Sequence, residues 1–250
     1  MITDFKLRYQ GSVLGYAWSL LRPLLLFVIL YMVFVLFLKI GGNIPHYPIY
    51  LLLGIVLWSF FAEMTSLGLQ SVVVRGDLIR KIPIPRWTIV VASSFSALIN
   101  LLLNLMVVLI FVLINHLAFT PEVLLVPLVL LEIYAFALGL SLLMSAAYVR
   151  YRDVTYIWEV ILQGAFYVTP ILYPLQLVKS QQLQKMLILN PMAQTIQDIR
   201  HLLVTPDATT INHIYGTPLA RLIPLGISVV VLVIGVVYFR RQSKWFAENL

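Results

Sequence analysis

Six long apolar runs constrain the fold of this chain more than any other feature. Each is close to the length of about 20 residues at which a helix crosses the hydrocarbon core of a bilayer, and residues 222–237 carry no charge. The chain is 61% hydrophobic and 11% charged, whereas a soluble domain is about 25% charged. We therefore predict an all-α integral membrane protein with a single transmembrane domain over residues 1–250. Its six transmembrane helices are expected at residues 22–38, 49–69, 88–114, 123–148, 155–173 and 219–239.

A short basic loop at residues 71–87 joins the second and third runs. Basic residues beside membrane spans stay on the cytoplasmic side. With six crossings, most of the 17 Lys and Arg residues fall on the same side as this loop. We therefore predict a multi-pass protein of the plasma membrane with both termini in the cytoplasm.

Within the basic loop, Asp77 is placed to cap a short helix that begins at Leu78. Pro83 and Pro85 end this helix, because proline cannot continue one. We expect the helix to lie across the inner face of the membrane, where a soluble partner acts on it. Its apolar side chains for that contact are Leu78, Ile79 and Ile82, with the basic Arg75, Arg80 and Lys81 beside them.

Two stretches do not fit a simple span. Residues 1–21 mix basic and aromatic side chains, which is typical of a segment lying in the membrane interface. A cleavable signal peptide is the alternative, but no small-residue cleavage site follows the first run. Residues 175–218 contain pieces too short and too polar to cross. We predict re-entrant helices in the outer leaflet, where protein or a water-filled cavity satisfies the backbone.

Polar side chains recur at helical spacing on three of the spans. They form either the wall of a conduit or hydrogen bonds that hold helices together. For the third span we favour helix packing, and for the second and fifth both interpretations stay open. The polar residues are Ser59, Glu63, Ser66 and Gln70 on the second span, Ser93, Ser96, Asn100 and Asn104 on the third, and Glu159 and Gln163 on the fifth. On the fourth, we expect the small residues Ala135, Gly139, Ser141 and Ser145 to permit close packing.

Aromatic side chains also share faces of the first, second and fifth spans. Aromatic rings stack on sugar rings, so an aromatic-lined passage would suit a carbohydrate chain. Anchoring at the membrane interface is the alternative, because Trp and Tyr are enriched there. The aromatic positions are Phe27, Tyr31, Phe34, Trp58, Phe61, Phe166 and Tyr167.

Several enzyme and binding motifs are absent from the sequence. It contains no G-x-x-x-x-G-K-[ST], no H-E-x-x-H and no G-x-S-x-G. Its 4 histidines lack the spacing of metal ligands, and it has no cysteine. We therefore expect no catalytic residue, no metal site and no cofactor on this chain. The net charge of +7 is explained by topology, so we expect no nucleic-acid partner.

Four motifs, taken in order, resemble the permease subunit of type-two ABC exporters. They are DFKLRYQGSVLGYAWSLLRPLL at the N-terminus, RGDLIRKIPIPRW in the basic loop, YVRYRDV after the fourth span, and FYVTPILYP followed by Asn190-Pro191. The resemblance covers nearly the whole chain. It is strongest to the branch that exports O-antigen, capsular or teichoic-acid chains, which are lipid-linked polysaccharides.

The resemblance implies a homodimer in the bacterial plasma (inner) membrane, surrounded by lipids and paired with two copies of a separate ATPase that binds ATP and Mg. The basic loop would be the coupling helix, and residues 175–218 would close the outer end. The first and fifth spans would face each other across the dimer axis. A gate at the cytoplasmic side would involve Phe5, Lys6, Arg8, Tyr9, Arg150, Arg152 and Asp153. The passage would be lined by the aromatic positions above together with Glu159 and Gln163.

Two other functions remain open from the sequence. The first is export of a small hydrophobic drug or lipid by the same fold. The second is a scaffold that recruits a cytosolic protein through the basic loop without moving any substrate.

Overall fold

A computed structural model describes residues 17–37, 39, 44–77, 85–117 and 120–246. Throughout these ranges every regular element is a helix, as the sequence predicts. Five of the helices are long and apolar enough to cross a membrane. The elements are α1 (Ala17–Tyr31, continued by a π-helical stretch Met32–Phe37), α2 (Tyr47–Val74), α3 (Trp87–Ile114), α4 (Val126–Arg150, preceded by a 3-10 turn Pro121–Leu125), α5 (Val154–Val168), α6 (Gln181–Ile188), α7 (Pro191–Leu203), α8 (Ile211–Tyr215) and α9 (Leu222–Gln242). Further 3-10 turns lie at Leu175–Leu177, Pro218–Arg221 and Ser243–Trp245.

Helix α2 is the centre of the bundle. In its most apolar stretch 72% of the residues are buried, against 39% for α3 and less for α1, α4 and α9. It packs against both α3 and α4, and it also contacts α1, α5 and α7. We call the end of the bundle where α2 begins the break end, because the interruption of the helix after α5 lies there. We call the end where α2 finishes, next to the basic loop, the loop end.

Small residues bring α4 into close contact with its neighbours. A methyl group on Gly139 would come within 2.6 Å of the backbone of Leu232 on α9, and one on Gly235 would overlap the carbonyl of Gly139. Ser141 meets α2 at Gly68 and donates a hydrogen bond of 3.3 Å to the carbonyl of Met64. The prediction of close packing is therefore confirmed for Gly139 and Ser141.

The fifth predicted span, residues 155–173, differs from the structure. Helix α5 ends at Val168 after 15 residues, a length of about 22 Å at 1.5 Å per residue. Thr169 has an extended backbone with ψ 135, because the residue before a proline is pushed out of the helical region. Pro170 then lacks the N–H that the next turn needs. The hydrophobic pattern continues past Pro170, but the helix does not.

The segment between α5 and α9 is a set of short helices, as the sequence suggests. Ser180 caps α6 by accepting a hydrogen bond from the Leu183 amide, and Asn190 caps α7 by accepting one of 2.9 Å from Met192. Except for the half-buried His201, every residue of α7 is buried. Its polar sequence therefore faces protein on all sides, beside α2, α4 and α9.

Candidate functional site

The most connected polar side chain in the described part of the chain is Arg200 on α7. It is 0% exposed and donates three hydrogen bonds to backbone carbonyls. Nε reaches the carbonyl of Tyr50 at 3.0 Å, and Nη1 reaches that of Pro170 at 2.7 Å. Nη2 reaches the carbonyl of Ile171 at 2.7 Å. One guanidinium thus joins α7, the first turn of α2 and the segment just after α5.

Two tyrosines and a glycine complete the surroundings of this guanidinium. Its Cζ lies 3.5 Å from the centroid of the Tyr50 ring, a cation–π contact. The Tyr47 hydroxyl donates a hydrogen bond of 2.6 Å to the carbonyl of Leu172. Gly54 leaves the space that the guanidinium occupies, because a Cβ there would lie 2.5 Å from Nη2 of Arg200.

These contacts explain how the chain tolerates a broken helix inside an apolar bundle. Non-helical backbone at membrane depth is possible only where protein or water satisfies its polar groups. Arg200 and Tyr47 together satisfy three consecutive carbonyls, at Pro170, Ile171 and Leu172. The positive guanidinium also lies where a helix C-terminus carries partial negative charge. We call this set of contacts the arginine clamp.

A second buried polar group lies close by on α7. Asp198 forms an ion pair of 3.4 Å with Arg221, and Gln194 donates a hydrogen bond to the same carboxylate oxygen. Burial raises the pKa of Asp198, and Arg221, Gln194 and His201 oppose that rise. Glu132 of α4 is 7% exposed, and its Oε1 has no hydrogen-bond partner among the described residues.

The predicted coupling residues lie at or beyond the loop end of α2. Arg75 and Asp77 follow the last residue of α2, Val74. Gly76 and Asp77 are already helical, so Asp77 lies within a helix rather than capping one that begins at Leu78. The other coupling residues lie outside the described residues, so the extent of this short helix stays a prediction. They are Leu78, Ile79, Arg80, Lys81 and Ile82.

The predicted cytoplasmic gate is described only in part. Arg150, Arg152 and Asp153 are exposed at the turn between α4 and α5. The guanidinium carbon of Arg150 lies 5.3 Å from the Tyr151 ring centroid, and that of Arg152 lies 5.2 Å from the Tyr148 ring centroid. The N-terminal gate residues fall outside the described part of the chain; they are Phe5, Lys6, Arg8 and Tyr9.

The predicted passage residues divide into two groups. Trp58 and Phe61 are 7% and 5% exposed, and both belong to a cluster of aromatic rings. In that cluster the Trp58 and Phe166 centroids are 5.8 Å apart, and Phe61 stacks on Phe136 at 5.8 Å. The remaining passage residues reach the surface of the single chain: Glu159, Gln163 and Tyr167 are exposed, and Phe27, Tyr31, Phe34 and Phe166 are half-buried.

Helix α5 carries all three of the exposed passage residues and has no buried residue along its length. It packs against α2 and α4 and leaves a broad face uncovered. Tyr167 on that face is 67% exposed. The uncovered surface of α5 carries both aromatic and polar side chains. Such a surface can contact lipid or a second subunit, or it can line a passage.

The two asparagines of the third span hold helices together, as we favour from the sequence, whereas the Ser93 hydroxyl donates to the carbonyl of Val90 in its own helix. Asn100 donates a hydrogen bond of 2.8 Å to Glu63 on α2. Asn104 donates one of 3.2 Å to the carbonyl of Ser19 on α1 and one of 2.8 Å to the carbonyl of Asn100. The Glu63 carboxylate of the second span is thus engaged with α3.

Four residues of the buried polar network are not among those that the sequence points to: Arg200, Asp198, Arg221 and Glu132. Arg200 and Asp198 lie in the stretch predicted as re-entrant helices, and its sequence does not indicate which of its polar side chains are buried. A usable signal is nevertheless present, because Pro170 interrupts an apolar run and leaves carbonyls that need a donor. An arginine in a nearby capped half-helix is a suitable donor.

The fold and its buried polar network define a multi-pass helical membrane protein with a broken helix, an architecture common among transporters. The family model for the ABC-2 type transporter matches residues 1–204. The chain therefore belongs to the ABC-2 type transporter family, whose members are the membrane subunits of ABC transporters.

Curated relatives match over almost the full length of the chain. An O-antigen export system permease protein RfbA from Myxococcus xanthus is 29% identical over 99% of this chain and 92% of its own length. Proteins of the same name from Klebsiella pneumoniae are 29% and 27% identical, each again over 99% of this chain and 92% of the relative. The chain is thus homologous to proteins named as O-antigen export permeases.

Proposed function

We propose that this chain is the membrane subunit of an ATP-driven exporter that moves a lipid-linked polysaccharide from the cytoplasmic to the outer side of the plasma membrane. The observation that carries the proposal is the similarity, over 99% of the chain, to permeases named for O-antigen export. O-antigen, capsule and teichoic acid are the candidate polymers. The ATP and Mg would be bound by a separate ATPase.

In this proposal the loop end of the bundle faces the cytoplasm and the break end faces outward. The basic loop after α2 binds the ATPase, and the exposed turn with Arg150, Arg152 and Asp153 forms part of the cytoplasmic entrance. The chain crosses the membrane six times, with α5 and its following segment as the fifth crossing. The short helices α6 and α7 re-enter the outer leaflet.

The proposed passage forms between two copies of the chain. A C2 dimer brings the same face of both subunits together, and the uncovered face of α5 is the best candidate for it. Its exposed Glu159 and Gln163 supply hydrogen-bonding groups, and Tyr167 supplies a ring for stacking on sugars. Tyr31 and Phe34 of α1 extend the same lining.

The experiment that tests this function uses the chain and its partner ATPase reconstituted in sealed vesicles with a lipid-linked polysaccharide. We expect ATP-dependent appearance of the polymer on the opposite side of the membrane, measured with a membrane-impermeant lectin. A complex containing an ATPase variant unable to hydrolyse ATP is the control. ATP turnover without any polymer movement would contradict the proposal.

Export of a small hydrophobic drug or lipid is a second candidate. It is favoured by the apolar part of the α5 face, where Ile157 is 58% exposed and Val160 is 69% exposed. The same vesicles, loaded with a fluorescent amphiphile in place of the polymer, distinguish the two cargoes. Transport of neither cargo despite firm binding of the ATPase would favour a scaffold.

A further inference from the structure

We propose that Arg200 is a positioning residue that links the movement of α2 to the opening of the passage at the break end. This inference rests on the proposed function and goes beyond it, because it assigns a conformational role to a side chain that does not face the passage. Arg200 is 0% exposed and acts through the backbone of two other elements.

The arginine clamp holds the end of α5 in place. Three carbonyls after α5 are bonded by Arg200 and Tyr47, and Tyr167 lies just before this segment on the uncovered face. An unsatisfied carbonyl in an apolar environment is strongly unfavourable. The end of α5 therefore has one preferred position, in which all three carbonyls are bonded, and it leaves that position only when the clamp releases them together.

The clamp also holds the first turn of α2. Arg200 Nε bonds the carbonyl of Tyr50 in that turn, and the guanidinium stacks on the ring of the same residue. The Tyr50 hydroxyl also donates a hydrogen bond of 3.3 Å to Gln197 on α7. Any displacement of the first turn of α2 is thus transmitted to the guanidinium and to α7.

Helix α2 connects the clamp to the basic loop. The helix runs unbroken from Tyr47 to Val74 over 28 residues, which is about 42 Å at 1.5 Å per residue. Its far end leads directly to Arg75 and Asp77, the first residues of the predicted coupling loop. A buried, continuous helix moves as one body, so work received at the loop end reaches the clamp.

The chemistry of the clamp requires arginine. A guanidinium is planar and presents donors in several fixed directions, while an ammonium group is a compact point charge. Lysine would keep the charge but could not bond carbonyls on two separate segments while stacking flat on Tyr50. We therefore expect Arg200→Lys to behave like Arg200→Met rather than like the unaltered protein.

The test uses the full complex with its ATPase in sealed vesicles. The chain has no cysteine, so Tyr167→Cys provides a single labelling site near the end of α5. A membrane-impermeant maleimide on the outer side reports whether this site opens. We expect ATP to increase labelling by about tenfold, within the usual range of coupling between two sites.

In the Arg200→Lys and Arg200→Met backgrounds we expect labelling to lose its dependence on ATP, while ATP hydrolysis stays close to that of the parent. Lys185→Met is the matched control, because Lys185 stacks on Tyr215 at 5.6 Å outside the clamp and should keep the ATP dependence. Retention of the ATP response in both Arg200 variants would overturn the inference. The inference would also be overturned if the Arg200 variants lost both the labelling response and ATP hydrolysis to the same extent, because that result indicates a structural role alone.

Gly54→Ala provides a second route if the Arg200 variants do not accumulate, because the added methyl group displaces the guanidinium. It should give the same ATP-independent labelling, and an unchanged ATP response would equally overturn the inference. The labelling requires no cargo. If the parent complex moves no polysaccharide but keeps ATP-dependent labelling, the proposed cargo is wrong and the positioning role stands.

Discussion

Nη1 of Arg200 donates a hydrogen bond of 2.7 Å to the carbonyl of Pro170, 30 residues earlier in the chain. The two residues have complementary roles. Pro170 ends the helical hydrogen-bond pattern of α5, and Arg200 supplies the donors that the interrupted backbone then needs. A bilayer tolerates such a break only where protein or water satisfies the freed backbone groups, and here Arg200 and Tyr47 bond them.

The first prediction concerns Gly54, where a Cβ would lie 2.5 Å from Nη2 of Arg200. Gly54→Ala should force the guanidinium away from the carbonyl of Ile171. We expect the free energy of unfolding to fall by about 1–3 kcal/mol, the usual cost of overfilling a packed site. Thermal unfolding of the purified protein in detergent measures the change.

Gly226→Ala is the matched control for this experiment. Gly226 lies on α9, and nothing comes within 4 Å of a Cβ placed there. Alanine in an open helical position is favoured over glycine by about 0.5–1 kcal/mol. The control should therefore unfold at the same temperature as the parent or higher. Equal unfolding temperatures for both variants would show that the space at Gly54 is not needed.

The sequence predicts the transmembrane helices well because their signal is local. Length and hydropathy identify the five long helices, and small residues such as Gly139 indicate close packing from the sequence alone. The predicted fifth span runs too far because apolar residues continue beyond Pro170, and hydropathy does not register the N–H that proline lacks. Backbone geometry, rather than side-chain hydropathy, ends α5 at Val168.

The arginine clamp could not be predicted from the length and hydropathy of sequence segments. Its donors and acceptors come from α2, the segment after α5 and α7, and Tyr50 and Arg200 are 150 residues apart. No periodic pattern links them. The polar sequence of α7 predicts a helix too short and too polar to cross the membrane, but it does not show that the folded bundle buries that helix on nearly every side. Burial of a polar helix depends on partners elsewhere in the chain, so it becomes visible only in three dimensions.

The second prediction concerns Asp198, which lies on α7 outside the five long spans. Burial raises its pKa above the ordinary value of 3.8, so the folded state holds the proton more tightly than the unfolded state. At a pH below the ordinary pKa, the protonated Asp198 makes its full contribution to stability. That contribution is lost as the pH rises through the raised pKa of the folded state. The free energy of unfolding should therefore fall with rising pH across that interval.

Asp198→Asn should flatten this part of the stability profile, measured by denaturant unfolding at a series of pH values. Asp207→Asn, at an exposed position, is the control and should keep the parent profile. A parent stability that instead rises with pH over the interval would mean that the ion pair with Arg221 outweighs the effect of burial.

The third prediction concerns the basic loop. Replacing Arg80 and Lys81 with Glu should abolish stimulation of the partner ATPase, because complementary charge guides the two surfaces together and like charges repel. ATP hydrolysis by the assembled complex, measured over a range of salt concentrations, reports the effect. The same reversal at Lys179 and Lys185, between α5 and α7, should leave hydrolysis unchanged. Normal stimulation by the loop variant would remove the loop from the coupling mechanism.

The fourth prediction distinguishes the two cargoes through the aromatic residues Tyr31 and Phe166. Both are half-buried at the surface of the single chain, with Tyr31 beside Phe27 at 5.8 Å and Phe166 beside Trp58 at 5.8 Å. If each ring contributes about 1 kcal/mol by stacking on a sugar, the double change to Ala corresponds to a roughly 30-fold loss of polysaccharide export. Export of a small amphiphile should fall far less, because it does not depend on successive stacking contacts.

Phe111→Ala is the control for this comparison, since Phe111 is an exposed aromatic residue of α3 outside the proposed passage. It should leave export of both cargoes near the level of the parent. The decisive quantity is the ratio of polymer export to amphiphile export, because a general loss of folded protein lowers both rates equally and leaves the ratio unchanged. A double variant with an unaltered ratio would exclude Tyr31 and Phe166 from recognition of the sugar chain.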